Sequence, residues 1–563
     1  MMSRKLISLM VLALMIAGTV TSCAQATPTP EIIVETVVLT PTPVPEPTTP
    51  TGPVMGGTVS IGQEQEPDKL VAQWSPLSVS YEVSALVNEF LLRYDPESEI
   101  VPNLATEVPT EENGGVSADG KTYTFKLRDD VTWHDGEPFT SKDVAFTIEV
   151  AADPDSGVRT AVGLDSVETP DDYTVVVNLS APDAGFLDKM ASVITILPEH
   201  ALSDVDNWET AEYLTKPYPG LGAFQFVDWQ SGSYIELQKY PDYFLGEPYL
   251  DGIYYRVIPN DDARLTALAT GEIDLTFRVI GEHVPLARSI PDVTVYETPA
   301  HAWFEMIFNV RDPLLKDQQT RVALNHAVDK EAIVETVVGG LGSVKWSPFS
   351  VANAYWIDVN AKYTYDPDRA VELLEEAGWQ DTNGDGVREA HGVTDVPDGT
   401  KFAWEILNVA GQPERLQVCQ VLQQYWQDVG AEVTINTTDV STAVGQLMSG
   451  DFTMGYGFLD VSPEPSSAVF WWRVEGGLNW HGLDTLLPEV EELIIAGDQS
   501  LDPEERREIY AEFQEYVAEQ AVDVLLYDRI WYDAVNDRVN NFKPIGGGGV
   551  DTWNAYEWWL SPS

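Results

Sequence analysis

Few of the 563 residues stand in arrangements that could carry covalent chemistry. His134-Asp135-Gly136 joins an imidazole to a carboxylate, as a general-base pair would. Asp-Gly, however, favours a positive φ, and the flanking segments read as a strand and a helix opened by Thr140 or Ser141, so the motif is expected to be a turn. Asp381, Asn383, Asp385, Gly386 and Val387 copy positions 1, 3, 5, 6 and 7 of a calcium loop. Position 12 requires a bidentate glutamate but is Gly392, and Glu389 at position 9 does not replace it. An Asn-Gly-Asp-Gly surface turn is the expected outcome, with a metal loop at Asp381, Asn383 and Asp385 as the alternative. Histidines 200, 283, 301, 326, 391 and 481 contain no His-x-x-x-His pair. There is no Gly-x-Ser-x-Gly elbow, phosphate-cradling glycine loop or Cys-His nucleophile pattern. Cys419 shares one helical stripe with Leu422, Trp426 and Val429, the place of a buried structural thiol. These absences favour binding over catalysis and imply no cofactor.

Charge narrows the partners. With 32 Lys+Arg against 90 Asp+Glu the net charge is −58, which repels phosphate backbones and anionic headgroups, so nucleic acid is excluded as a partner. A hydrophobic fraction of 44% and a charged fraction of 22% indicate a folded chain rather than an acidic disordered one. The length exceeds what one core supports, so two or three lobes are expected. Two cysteines exclude a disulfide scaffold.

The elements that must position any site announce themselves by their ends. Asp366-Pro367 supplies an N-cap and an N1 proline before Ala370, Leu373, Leu374 and Ala377, with Gly378 where a C′ residue belongs. Asp502-Pro503 repeats the start, and Asp329 caps a third helix that ends at Gly339. Strands are expected at 123–127, 234–237, 433–435 and 524–527. An internal echo links Leu268-Ala269-Thr270-Gly271-Glu272-Ile273-Asp274 with Leu447-Met448-Ser449-Gly450-Asp451-Phe452-Thr453: helix end, glycine, acid, strand. Ligands of open α/β sheets sit beyond the carboxyl ends of strands, so the residues after these two strands, Phe277-Arg278 and 456–460, are candidate cleft residues.

Residues 1–22 carry Arg4 and Lys5, an apolar run at 6–17 and then small residues, the layout of a signal peptide. Val20-Thr21-Ser22-Cys23 resembles a bacterial lipoprotein signal, in which Cys23 becomes the lipid-bearing N-terminus. Residues 23–56 are rich in Thr and Pro and read as a semi-rigid polyproline spacer.

Residues 123–147 strongly resemble the signature of the family-5 extracellular solute-binding proteins, the peptide- and nickel-binding components of ATP-binding cassette (ABC) importers. Leu197-Pro198-Glu199-His200, Gly220-Leu221-Gly222-Ala223-Phe224, Asp242-Tyr243-Phe244, Gly271-Glu272-Ile273-Asp274, Phe308-Asn309 and Arg321-Val322-Ala323-Leu324 continue the pattern in order, over roughly residues 57 to 560. The resemblance implies an α/β clam-shell, the two-lobed type II periplasmic-binding-protein fold with an extra subdomain in the first lobe. Lobe I would span 57–308, with the subdomain at 81–197, and lobe II 309–532; 533–563 would return to lobe I, with Trp553, Tyr556, Trp558 and Trp559 as packing groups. Crossing strands are expected near 301–310 and 526–535.

In peptide-binding members an aspartate pairs with the ligand's α-amino group. Carried over, that aspartate is Asp460 and the aromatic before it is Tyr456. The chain has one extra residue between aromatic and acid, and Ser462-Pro463-Glu464-Pro465 in the following turn, so Phe458 is the alternative aromatic. Trp74, Asn479, Trp480 and Arg278 complete the candidate ligand set. The expected protein is a monomeric, exported, lipid-anchored receptor that performs no catalysis and hands a small peptide to ABC permease subunits. An oligosaccharide or a nickel complex is the alternative ligand, and an extracellular hydrolase or a surface scaffold the rival from another class.

Overall fold

The computed structural model describes residues 52–562, apart from positions 76, 160–161, 360–361, 412, 475–476 and 547–549. The leader at 1–22, the lipidation candidate Cys23 and the spacer up to residue 51 lie outside the described residues.

β1 (Thr58–Gln63) is buried from Ile61 onward. The chain then leaves for a separate layer, where β2 (Thr122–Lys126), β3 (Leu164–Asp171) and β4 (Thr174–Leu179) form an antiparallel sheet in the order β2-β4-β3. Alternate residues of β4, Val175, Val177 and Leu179, meet Phe125, Ile148 and Phe186 in a core of their own. The chain returns through β5 (Phe224–Gln230), β6 (Tyr234–Lys239), β7 (Gly252–Val257), α1 (Asp261–Ala269), β8 (Leu275–Thr276) and the long β9 (Val293–Phe308). A second run follows: α2 (Pro367–Glu376), β10 (Ala403–Val409), α3 (Pro413–Asp428), β11 (Glu432–Thr438), α4 (Val440–Ser449), β12 (Met454–Asp460), α5 (Pro503–Gln520) and β13 (Asp523–Asn536). Among the described residues one eleven-stranded sheet runs in the order β11-β10-β12-β9-β13-β8-β1-β7-β6-β5, with the short strand Gly342–Val344 added on β13.

The helix starts follow the cap chemistry of the sequence. Asp366 accepts the N–H of Arg369, Asp329 that of Ala332, and Asp502 those of Glu504 and Glu505. In the echoed junctions Gly271 after α1 and Gly450 after α4 take φ of 72° and 70°, a region that L side chains avoid. Each glycine leads into a strand, β8 or β12, and these two strands flank the β9–β13 pair on either side.

β9 and β13 tie the two halves of the sheet. Val293 to Pro299 pairs with Ile530 to Asn536 beside β8, and Trp303 to Ile307 pairs with Asp523 to Asp528 beside β12. The register slips between Pro299 and Trp303, where the chain passes from one half to the other. On the β1 side the core gathers Val59, Ile61, Phe224 and Ile253 and takes in Trp558 and Tyr556 from the C-terminus. On the other side Met306, Leu324, Trp379 and Trp426 fill one face of the sheet, and Trp303, Ile307, Trp472 and Phe513 the opposite face.

A buried ion pair braces the slip. Lys345 Nζ lies 3.0 Å from Asp528 Oδ1, with side-chain exposures of 1% and 2%, and 4.5 Å from the centre of the Trp303 ring. Ser350 Oγ donates to the Ala300 carbonyl at 2.7 Å from the same segment. Removing the lysine strands a buried carboxylate, a loss of about 3–5 kcal/mol. Lys345→Ala is therefore expected to reduce the unfolding free energy in urea by that amount; a loss below about 1 kcal/mol would show that the pair does not brace the crossing.

Candidate functional site

The two-residue period of a strand places alternate side chains on one face, and three neighbouring strands share that face here. On β12 it carries Tyr456, Phe458 and Asp460, opposite Met306, Phe304 and Ala302 of β9. Tyr527, Arg529 and Trp531 of β13 continue the surface. Tyr456 is buried beneath it, stacked 5.6 Å from Phe304, with its hydroxyl 3.3 Å from that of Tyr527. Phe458 is half-buried, 4.9 Å from Phe304, and lies beside the charged groups. An even spacing puts both candidate aromatics on the face of Asp460; Phe458 is the one at the opening.

Asp460 ends the row. Its side chain reaches solvent, yet protein encloses it closely enough that desolvation raises its pKa, with the Arg278 and Arg529 charges opposing that rise. Among the described residues its carboxylate makes no hydrogen bond or ion pair. Arg278 arrives from the other half of the sheet, two residues beyond β8. The echoed junctions thus do bring their following residues within electrostatic reach of each other.

Arg278 is built in under constraint. It has φ 53°, a left-handed conformation that costs a non-glycine residue on the order of 1–3 kcal/mol. Its backbone N–H donates to Asp533 Oδ1 at 3.0 Å, its guanidinium meets Glu82 Oε1 at 3.3 Å, and Cζ lies 5.0 Å from the Trp531 ring centre. Glu82, Asp533 and Asp551 are all buried around it, and burial pushes each carboxyl up, Glu82 to about 8. Arg278 therefore holds the first half of the site together rather than waiting free for a ligand.

Two arginines escaped the sequence reading. Arg529 lies 4.6 Å from the Trp531 ring centre and 5.4 Å from that of Phe458, and Arg415 from the first turn of α3 lies 5.3 Å from Phe458. The available signal was Arg529 standing at period two between Tyr527 and Trp531, a cation on the apolar face of a strand.

Three other candidates are placed elsewhere. Trp74 is a core residue: it is 5% exposed, stacked 4.9 Å from Trp208, and its indole N–H donates to the Ser156 carbonyl at 2.9 Å. Asn479, at φ 44°, accepts the Leu483 N–H and donates to Asp484, so it shapes its own loop. Trp480 packs 5.0 Å from Trp471 in the second-half core. Among the described residues none of the three shares a hydrogen bond, ion pair or ring contact with Phe458, Asp460 or Arg278. His134 sits in the expected turn, with Gly136 at φ 90°; its Nδ1 accepts the Gly220 N–H at 3.1 Å and its Nε2 donates to the Gly222 carbonyl at 2.9 Å. At the calcium-like loop Asp381 accepts the N–H groups of Gly384 and Gly386, and the Asn383 side chain bonds Glu389, so the oxygens serve the turn. Cys419 is buried, which pushes its thiol up to about 12.

On the sheet face away from Asp460, His481 Nε2 lies 3.5 Å from Glu305 Oε1 and 3.6 Å from Asp523 Oδ2 in the core. Burial pushes the Asp523 carboxyl up to about 7 and the Lys330 ammonium down to about 8, so this buried group is packed into the core at a cost to its charged forms.

The halves also touch beyond the crossing. Ser462 Oγ donates to Asp188 Oδ2 at 3.1 Å, and the Ala184 N–H donates to the Asp498 carbonyl at 3.1 Å. Asp188 and Ala184 flank Phe186 of the core built on β2–β4, so that layer meets the second half two residues beyond Asp460.

The family described as Bacterial extracellular solute-binding proteins, family 5 Middle, matches residues 99–479. The chain belongs to that family. This solute-binding protein is 29% identical over 521 residues to the oligopeptide-binding protein AppA of Bacillus subtilis, covering 90% of this chain and 92% of that one. The solved structure of that AppA, in complex with a nonapeptide, superposes with a TM-score of 0.74 at 28% identity and covers 91% of this chain and 100% of its own. NikZ from Campylobacter jejuni, solved in complex with Ni(L-His), gives a TM-score of 0.75 at 25% identity, covering 89% of this chain and 99% of its own. The fold of this solute-binding protein is thus the two-lobed type II clam-shell that the sequence resemblance implied.

The acids around Arg278 make the stability of the solute-binding protein depend on pH. Glu82 rises from 4.5 to about 8, so its contribution is fully present below pH 4.5 and is lost as pH climbs through 8. Asp533 and Asp551 shift in the same direction. The thermal unfolding midpoint is expected to fall between about pH 4.5 and pH 8, and to fall less steeply in Glu82→Gln; an identical slope in that variant would acquit Glu82.

Proposed function

We propose that this protein captures peptides outside the cytoplasmic membrane and delivers them to an ABC permease, with Asp460 holding the peptide's α-ammonium. The observation that carries this reading is the carboxylate of Asp460, which opens to solvent at the end of the row beside Phe458 and has no hydrogen-bond or ion-pair partner among the described residues. Such a carboxylate gains most from a charged donor that makes short, directional bonds, and an ammonium provides three. Arg278 and Arg529 favour its ionised form. β12 supports the reading a second way: it pairs with β9 from Met454 to Asp460 but with β10 only at Met454 and Gly455. The remaining edge, from Tyr456 to Asp460, is a strand edge along which an extended peptide can bond by its main chain without regard to side chains. The nonapeptide held by the related AppA is consistent with this mode.

The receptor itself performs no reaction in this reading. Closure of the lobes on the ligand shifts the population toward the state the permease recognises. The leader at 1–22, Cys23 and the Thr/Pro spacer describe an exported monomer tethered by lipid to the outer face of the membrane.

Asp460→Ala is expected to weaken binding of a short peptide by about 2–5 kcal/mol, roughly 30-fold or more, and N-acetylation of the peptide to cause a comparable loss with the wild-type protein. Calorimetry measures both, and an unchanged affinity in the variant would remove the anchor. Cys23→Ser should abolish incorporation of radiolabelled fatty acid and release the protein from membranes; continued labelling would overturn the tether.

A further inference from the structure

The core behind the strand crossing holds polar groups that no hydrogen bond satisfies. Glu305 and His481 are fully buried and Asp523 is 5% exposed, yet both ring nitrogens of His481, Glu305 Oε1 and Asp523 Oδ2 have no hydrogen-bond partner among the described residues. About 90% or more of buried polar groups are paired, so a cluster of such orphans marks the place of an ion or a water. The imidazole does not close the gap itself. Its Nε2 stands 3.5 Å from Glu305 Oε1 and 3.6 Å from Asp523 Oδ2, beyond the roughly 3.2 Å reach of an N–H···O bond. Those separations suit a metal: ligands about 2.0–2.2 Å from a tetrahedral ion lie about 3.3–3.6 Å from one another. One ligating atom from each of the three residues lies within 4.8 Å of the other two. Two carboxylates and a neutral imidazole also match the charge of a divalent cation. The Glu305 charge raises the Asp523 carboxyl, and a cation between the two removes that repulsion. The supports are in place as well. The Trp303 indole N–H donates to Glu305 Oε2 at 2.9 Å, which leaves Oε1 for the ion, and the His481 ring stacks on Trp472 with centres 5.5 Å apart. Of the nearby cations, Lys345 is spent on Asp528 at 3.0 Å and Lys330 Nζ lies 4.5 Å from the Trp346 ring centre. A cavity of about 20 Å³ bordered by Asp523, Lys330 and Tyr363 has room for one water as a fourth ligand.

We propose that Glu305, His481 and Asp523 bind a structural zinc ion that staples β9 and β13 to the loop carrying His481. Glu305 stands on β9, Asp523 opens β13 opposite Ile307, and the His481 carbonyl accepts the Val310 N–H at 2.8 Å just beyond the end of β9. An imidazole with two carboxylates is a zinc ligand set, whereas calcium and magnesium take six or more oxygens. The ion sits on the sheet face away from Asp460, so it stabilises the second half of the sheet and takes no part in peptide capture.

The test uses untagged protein purified from zinc-supplemented cells and dialysed against excess calcium, which occupies surface carboxylates, with one aliquot stripped by chelator in mild urea. Elemental mass spectrometry is expected to find one zinc per chain. Zinc at a hundredfold excess over its dissociation constant should place the thermal midpoint about 3–5 °C above that of the stripped aliquot. X-ray absorption of the zinc-loaded wild type should show one imidazole nitrogen together with oxygens at about 2.0–2.2 Å. His481→Gln and Glu305→Gln should each lose the zinc and the thermal gain while keeping the affinity for a short peptide, with circular dichroism confirming that both fold. A wild type that holds no zinc and gains no stability from it would overturn the site and leave a protonated imidazole between the two carboxylates. Zinc retained with its thermal gain in folded His481→Gln would overturn it equally, by placing the ion elsewhere. Should the variants fail to fold, the absorption spectrum decides alone: a shell of oxygens only, or of two or more imidazoles, sinks the assignment.

Discussion

The pairing of β9 with β13 is the constraint on which everything else depends. These are the strands that run through both halves of the main sheet, and they slip register at Pro299–Trp303 and nowhere else except at Phe304–Glu305. Below the first slip they set the distance to β8 and so place Arg278; above it they set the register of β12 and so place Asp460. Because side chains alternate, a one-residue error in either pairing would turn Asp460 and Phe458 into the core and expose Leu459. The buried Lys345–Asp528 pair, which requires both partners in place, makes such an error expensive.

The electrostatics of the two halves differ in kind. Around Arg278 the charges are spent internally on Glu82, Asp533 and a backbone conformation that only such contacts sustain. Around Phe458 they are not: Asp460, Arg415 and Arg529 stand among aromatic rings with through-space neighbours but no bonds. A fold that pairs one group of buried charges and leaves an adjacent group open separates what supports the site from what serves a ligand.

Much of this was legible in the sequence where the determinant is local. Caps at Asp366, Asp329 and Asp502 depend on a side chain and an N–H two or three residues on, and the repeated helix-Gly-acid-strand junction pointed to Arg278 and Asp460. What the sequence leaves open is whatever depends on distant chain. Trp74 could not be sorted from a ligand-facing tryptophan without knowing that Trp208 and Ser156 would meet it. Arg415 and Arg529 lie more than a hundred residues apart and face each other through Phe304 and Phe458, so no spacing rule finds them. His481 joins Glu305 and Asp523 in the same way, across long stretches of sequence.

The narrowness of the crossing has a mechanical consequence. A ribbon of two hydrogen-bonded strands is stiff along its length and in the plane of its bonds, and compliant only to bending and twisting out of that plane. Any swing of one half on the other would follow this compliant direction, in which β12 travels with one and Arg278 with the other. Such a swing would break the contacts of Ser462 with Asp188 and of Ala184 with Asp498. A transport partner that engages both halves can then expel the cargo by leverage on this ribbon, leaving the interior of each half undisturbed.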